Sequence, residues 1–271
     1  MVAGQQYNIK IMKFKTLKTD LKLVKIKSYF KKFGLDEVVK NKNFKKRKVN
    51  QMKDDFAFQP ELDELYLLHR YIIQFKRMTI LEFGIGWSTI VMANALQYNR
   101  NKYLIKTKNL RMNNAGEIHC LDNSKSWVKK MKPKLRKHSK IVKLNYSEAV
   151  MDKFNGKICT SFKKLPKINP DFIYLDGPDQ FDIKGTVNGF NIDKNDLMPM
   201  TCDILKIEHF LKPGTIIVVD GRASNSRFLK SNFQRNWKYS YNELNDQHVF
   251  FLDEKPLGQL NKRQINFYFN D

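Results

Sequence analysis

Short apolar runs alternate with stretches of helical spacing along most of this chain. Over residues 60–75, "PELDELYLLHRYIIQF", Leu62, Leu65, Leu68 and Ile72 recur on one helical face behind a proline and a first turn of acids. That pattern predicts an amphipathic helix, with His69 on it as a packing residue. Strands are predicted at 79–84, 117–122, 140–146, 171–176 and 214–220, and helices at 88–98, 124–138, 202–211 and 225–236. Residues 238–244 and 247–254, separated by "NDQ", read as a closing antiparallel pair. Such alternation predicts an α/β domain with a mostly parallel sheet and helices on both faces. Residues 99–116 and 177–201 exceed ordinary connections and are expected to be functional or mobile insertions.

The N-terminal segment has a different character. Residues 12–48 read as basic helical material, with Phe14, Leu17, Leu21 and Val24 on a narrow apolar face, a helix ending near Gly34, and a solvated linker at 41–48. The predicted division is a basic arm and linker over 1–54 and a folded domain over 55–271, with Met12 an alternative start. Residues 1–53 hold sixteen Lys or Arg against three acids, more than half of the net +23 of the 271 residues. An arm so charged predicts contact with nucleic acid or an anionic membrane through residues 1–50, or packing on the main domain. Lysine is also favoured over arginine throughout, as an AT-rich coding sequence would produce. No apolar run approaches a membrane span or secretory signal, and 28% of residues are charged, which predicts a cytoplasmic protein. Cys120, Cys159 and Cys202 are odd in number and lack CxxC spacing, so buried thiols are expected.

Ligands of an open parallel sheet bind beyond the carboxyl ends of its strands. Four acids fall there, Glu82, Asp122, Asp176 and Asp220, although a strand-end acid also serves as a helix cap. In "TILEFGIGWST" (79–89) the glycines Gly84 and Gly86 permit positive φ and close approach of a ligand to the backbone. Ser88 or Thr89 then opens a helix with unpaired N–H groups. A dinucleotide site would continue to a third glycine and hold a pyrophosphate. Here Trp87 and Ser88 take that place, and the Glu82 carboxylate repels phosphate while suiting a cationic or hydroxyl-bearing ligand. Asp122, ending the next strand, is placed to accept both hydroxyls of a ribose. A positively charged nucleoside without phosphates fits these two features.

Together "ILEFGIGWST", "IHCLDNS", "DFIYLDGPD" and "GTIIVVDGR" resemble the nucleotide-binding core of the class I S-adenosylmethionine-dependent methyltransferases, over roughly residues 60–252. The resemblance implies a Rossmann-like three-layer sandwich: a seven-stranded sheet, mostly parallel, whose last strand is antiparallel. It implies that Glu82, Gly84, Gly86 and Ser88, with Phe83 in the same turn, bind the methionine part of the cofactor. Asp122 would bind its ribose, and Asn123 and Ser147 or Glu148 would lie near the adenosine. "YLDGPD" and "VVDGR" also resemble small-molecule and sugar O-methyltransferases, some of which hold magnesium at these strand ends. Asp176 and Asp220 match as candidate Mg²⁺ ligands, with Asp179 or Asn225 completing an oxygen set. Gly221 departs from that pattern, which usually has a second Asp or Asn there. Without a metal, Asp176, Asp179 or His248 is the candidate base, although a histidine on a final strand is more often structural.

Arg222 and Arg227 in "GRASNSRF" (221–228), with Asn225, are candidate acceptor-binding residues, since a guanidinium suits carboxylate or phosphate. The 177–201 segment, with Phe181, Phe190, Gly185 and Gly189, reads as a lid. The leading expectation is O-methylation of a small hydroxyl-bearing acceptor such as a sugar or saccharide precursor. RNA methylation aided by the basic arm, and non-catalytic binding by the same fold, are the alternatives. Against RNA, "DGPD" stands where a base-flipping Asn-Pro-Pro-Tyr motif belongs. Oligomeric state has no sequence signal.

Overall fold

The computed structural model describes residues 14–40, 61–194 and 196–270. The linker reading at 41–48 and the start at Met12 lie outside these residues.

A seven-stranded sheet carries the fold, in the order β3-β2-β1-β6-β8-β10-β9. Its strands are β1 Thr79–Phe83, β2 Glu117–Asp122, β3 Val142–Tyr146, β6 Phe172–Leu175, β8 Ile216–Asp220, β9 Trp237–Asn242 and β10 Gln247–Leu252. The β1, β2, β3, β6 and β8 neighbours are parallel, while β10 runs antiparallel between β8 and β9. This is the expected mostly parallel α/β sheet, and its last strand in sequence is antiparallel. The central strands are apolar on both faces and almost wholly buried, as helix-covered parallel strands must be. On one face Ile80, Phe172, Tyr174, Ile216 and Val218 pack with Leu65, Leu68 and Ile72 of α3 (Leu62–Gln74) and with α4 (Trp87–Thr107). On the other, Leu81, Phe83, Ile173, Leu175, Val219 and Phe250 pack with Ile204 of α6 (Asp203–Ile207) and Leu229 of α7 (Ala223–Asn232).

One expectation of insertion is corrected. Residues 99–107 continue α4, which runs 21 residues from Trp87 to Thr107; Tyr103 and Leu104 pack against Phe267 and Tyr268 of α8 (Gln259–Phe269), a helix the sequence reading did not predict. After β3, a second sheet was also missed: β4 Ala149–Phe154 and β5 Lys157–Phe162 form a hairpin, and β7 Ile183–Lys184 adds beside β4. The 177–201 segment is therefore fastened rather than free-standing, by β7 and by a bridge between Thr160 and Thr201.

The described part of the basic segment folds onto the domain. Helix α1 spans Leu23–Lys32 and α2 spans Asp36–Lys40, so the apolar face expected from Phe14 to Val24 is not helical before Leu23. Ile26, Phe30, Leu35 and Val38 enter the core instead. Phe14 stacks on Phe251 at 4.5 Å between ring centroids, and the Tyr71 hydroxyl meets the Leu17 backbone. His69 is the buried packing residue expected, hydrogen-bonded to the Tyr29 hydroxyl at 2.7 Å and to Asn94 at 3.1 Å. The three cysteines are free and buried. Among the described residues, no helix is long and apolar enough to cross a membrane.

Candidate functional site

The sheet order reverses between β1 and β6, so the crevice of a doubly wound sheet lies beyond the carboxyl ends of those strands. The turn after β1 and the turn after β6 meet there backbone to backbone. Gly84 has φ +103°, and a Cβ on it would rest against the Asp176 and Gly177 backbone at 3.5 Å. Gly177 is tighter still: a Cβ would fall 2.7 Å from the Gly84 nitrogen and 2.9 Å from the Phe83 carbonyl carbon. Part of the bare backbone is thus explained by two loops in contact. Gly86 is different, being extended at φ −166° with only Ser88 Oγ, at 3.7 Å, near its Cβ direction. Its expected positive φ is corrected.

Glu82 is fully buried beneath the first turn of α4. It accepts hydrogen bonds from Ser88 Oγ at 2.6 Å and Thr89 Oγ1 at 2.7 Å. Burial pushes its carboxyl up to about 7, against the pull of the Ser88, Cys120 and Thr89 contacts, and the charge of Asp176 adds to the rise. One strand over, Asp122 is 8% exposed and accepts the Ser124 N–H at 2.8 Å. Burial raises it to about 6, the Ser124 N–H opposes this, and Asp179 and Asp176 add to the rise. Trp127 Nε1–H donates to the Ile85 carbonyl and so braces the turn between these two acids.

Glu64, on α3, completes the acidic wall and was missed by the sequence reading. It was read only as one of the first-turn acids that favour a helix start. In the fold it is 6% exposed and accepts the Tyr174 hydroxyl at 2.6 Å. Burial, and then the charge of Asp220, push Glu64 well above the carboxylate range. Asp220 is itself raised, first by burial and then by Asp176. Glu64, Glu82, Asp176 and Asp220 thus line the β1–β6–β8 edge with carboxyls that burial, and for the first two and Asp220 also neighbouring acids, make slow to ionise.

The remaining candidates divide. Asp176 is exposed, with Arg222 Nε 3.8 Å from its carboxylate. The Arg222 guanidinium also donates to the Asp176 carbonyl at 2.7 Å and the Pro178 carbonyl at 3.2 Å. Asn123 is spent on the segment after β6: its amide donates to the Asp179 and Asp182 carbonyls, and its oxygen accepts the Asp179 N–H. The Asp179 carboxylate accepts the Phe181 N–H. Ser147 Oγ accepts the Lys164 N–H, and Glu148 pairs with Lys163 at the surface. Phe83 is a core residue stacked on Phe162, on the face opposite the acids.

His248 also lies on that opposite face, since it pairs with Val219 while Asp220 pairs with Gln247. Its Nδ1 meets the Tyr239 hydroxyl at 2.9 Å, and its ring is stacked 4.4 Å from Tyr241. Burial holds it below the usual histidine range. Arg227 is exposed on α7 and its charge is felt by His248 and Tyr239, not by the acids. Asn225 is buried and accepts the Thr201 N–H at 2.9 Å.

The oxygen-ligand set expected for Mg²⁺ does not assemble. Asp176 is engaged by Arg222 and Asn225 by Thr201. Among the described residues, no group of three or more His, Cys, Asp or Glu is placed to hold a metal ion.

No family model matches the chain, and no curated protein sequence matches it. Several solved structures are similar in shape. One is a methyltransferase of Podospora anserina, PaMTH1, bound to SAH (13% identity, 72% of this chain and 80% of that one, TM-score 0.43). A second is the O-methyltransferase TomG of Streptomyces achromogenes with SAM (14% identity, 88% and 92%, TM-score 0.39). A third is CalS11, a TDP-rhamnose 3′-O-methyltransferase (11% identity, 88% and 97%, TM-score 0.43). Likenesses this distant bear no weight on function.

Proposed function

We propose that this protein is an S-adenosylmethionine-dependent methyltransferase acting on a small hydroxyl-bearing acceptor, with a sugar or saccharide precursor as the favoured class. The observation that carries the reading is the acidic wall at the sheet's switch point: buried Glu82 lies under the first turn of α4, and Asp122 ends the neighbouring strand. A phosphate at that helix start would push the Glu82 carboxyl further up from about 7, whereas a sulfonium nearby pulls it down and favours its ionised form. The residues therefore fit a cationic nucleoside, with Asp122 holding its ribose and the Gly84–Gly86 backbone along its amino-acid part. When bound, S-adenosylmethionine supplies an electrophilic methyl on a positively charged sulfur.

The chain's own part is to position and to accept a proton. Asp176, the exposed carboxylate beside the Gly84 turn, takes the acceptor's hydroxyl proton as the oxygen attacks the methyl. Arg222 keeps that carboxylate aimed into the crevice through its bonds to the Asp176 and Pro178 carbonyls. Glu64 and Asp220 line the same edge of the crevice. Holding hydroxyl and methyl in line supplies about 7–11 kcal/mol of such a barrier. No ligand set for a metal supports Mg²⁺ in this reading.

The test is methyl transfer from labelled S-adenosylmethionine to a panel of sugars, nucleotide sugars and phenols, with and without chelator. Turnover on a hydroxyl acceptor, unaffected by chelator and lost in Asp176→Asn, is the expected result. Binding of the cofactor without transfer to any acceptor would instead identify a non-catalytic protein of the same fold.

A further inference from the structure

Several exposed aliphatic side chains gather around the start of α1. Val24 is 77% exposed and Leu23 52%, at the start of α1, and Leu21 just before it is 36% exposed. The inward residues of α1 are Ile26 and Phe30, so Val24, two positions before Ile26, points away from the core. The turn between β9 and β10 continues the patch. Asn245 bonds the Thr19 backbone through both its amide atoms, which sets Leu244, 66% exposed, beside the Thr19–Leu21 stretch.

Lysines flank the α1 side of this patch. Residues 14–40 carry eight lysines and three acids, and Lys18, Lys22 and Lys25 interleave with the aliphatic positions. Asp20 and, in the turn, the exposed Glu243 and Asp246 oppose this charge locally, while over residues 14–40 the lysines exceed the acids by five. Aliphatic tips flanked by lysine suit a surface that is negative outside and oily beneath. They suit nucleic acid poorly, because valine and leucine offer no ring on which a base can stack.

We propose that this face, formed by the start of α1 and the β9–β10 turn, docks on an anionic phospholipid bilayer. Val24, Leu23 and Leu244 enter the headgroup region, and the lysines pair with lipid phosphates. The face adjoins the carboxyl edge of the sheet, since Asn245 also bonds Asp63 at the start of α3 and Gln247 pairs with Asp220. A docked molecule therefore holds its crevice close to the membrane. The proposal stands whether or not the crevice transfers methyl groups.

Sedimentation of the full chain with vesicles of phosphatidylcholine alone, and with about 30% phosphatidylglycerol added, tests it. Binding to the anionic vesicles only, weakened by salt, is expected. Val24→Asp and Leu244→Asp should each weaken it by about tenfold, with the melting temperature unchanged, because both side chains are already in water. No binding, or binding untouched by both substitutions, overturns the proposal, since lysines alone would then account for it. A single-stranded RNA held more tightly than the vesicles, or a dimer dissolved by Leu244→Asp, overturns it in favour of nucleic acid or of a second copy.

Discussion

Asp122 gives the sharpest measurement of the cofactor reading. If its carboxylate accepts two ribose hydroxyls, each bond to a charged group is worth about 1.5–3 kcal/mol. Asp122→Ala then weakens S-adenosylmethionine by about 10²–10⁴-fold. Asp122→Asn is the cleaner variant, because its amide oxygen still accepts the Ser124 N–H that Asp122 now binds. Losing only the charge removes about half of the interaction, so about 10–150-fold is expected. The acid also predicts a pH dependence. Burial raises the free carboxyl to about 6, and hydroxyl donors pull it down again on binding. Affinity therefore rises with pH through 6 and levels near 7; at pH 5 about one carboxyl in ten is ionised, and binding is about tenfold weaker than at neutral pH. Glu82 contributes a slope of its own, so the difference between wild type and Asp122→Asn isolates Asp122. Calorimetric titration from pH 5 to 8 reads both effects. Wild-type affinity that is flat over this range, or an Asn variant that binds equally well at pH 7.5, would refute the assignment.

Gly177→Ala should lower the melting temperature, since its Cβ would fall 2.7 Å from the Gly84 nitrogen; overpacking of this kind costs about 1–3 kcal/mol. Gly86→Ala, with only a side-chain oxygen at 3.7 Å, should melt much closer to wild type, and equal melting of the two variants would contradict the packing account. Stability without ligand should fall as pH rises from about 4 to about 7, because the folded chain holds protons on Glu82 and Asp122 that the unfolded chain has released. The urea midpoint is expected to be lower at pH 8 than at pH 5, with the difference reduced in Glu82→Gln; identical midpoints in wild type would argue against buried, proton-holding acids. Asn123→Ala removes three bonds to the 179–182 backbone, so limited proteolysis should cut that segment sooner than in wild type.

Periodicity revealed the main sheet because its strands are short, apolar and separated by helices. Its failures have physical causes. "NRNKYLIKT" is polar enough to pass for a loop, yet it extends α4 because Tyr103 and Leu104 have α8 to pack on, a contact no local window contains. The β4–β5 hairpin did carry a signal: Asn155 and Gly156 both have positive φ in the turn, and Asn-Gly between alternating runs is the strongest short-range hairpin pattern. At the site, the strand-end acids were legible because strand ends are. Glu64 was not, since an acid in a first helical turn is ordinarily solvated, and here it is buried with the Tyr174 hydroxyl as its donor. His248 shows the converse limit: the direction a strand residue faces depends on register, which the sequence leaves open.

The hydrogen-only seam at Gly84 and Gly177 also bears on how this scaffold diversifies. On the proposed function, a donor-side turn and an acceptor-side strap that share one joint would not drift separately, and new acceptor preferences would arise further along the strap, beyond the Asn123 clamp. Libraries meant to retarget the protein should therefore hold residues 176–182 fixed and vary 185–194, where Phe190 is already half in solvent.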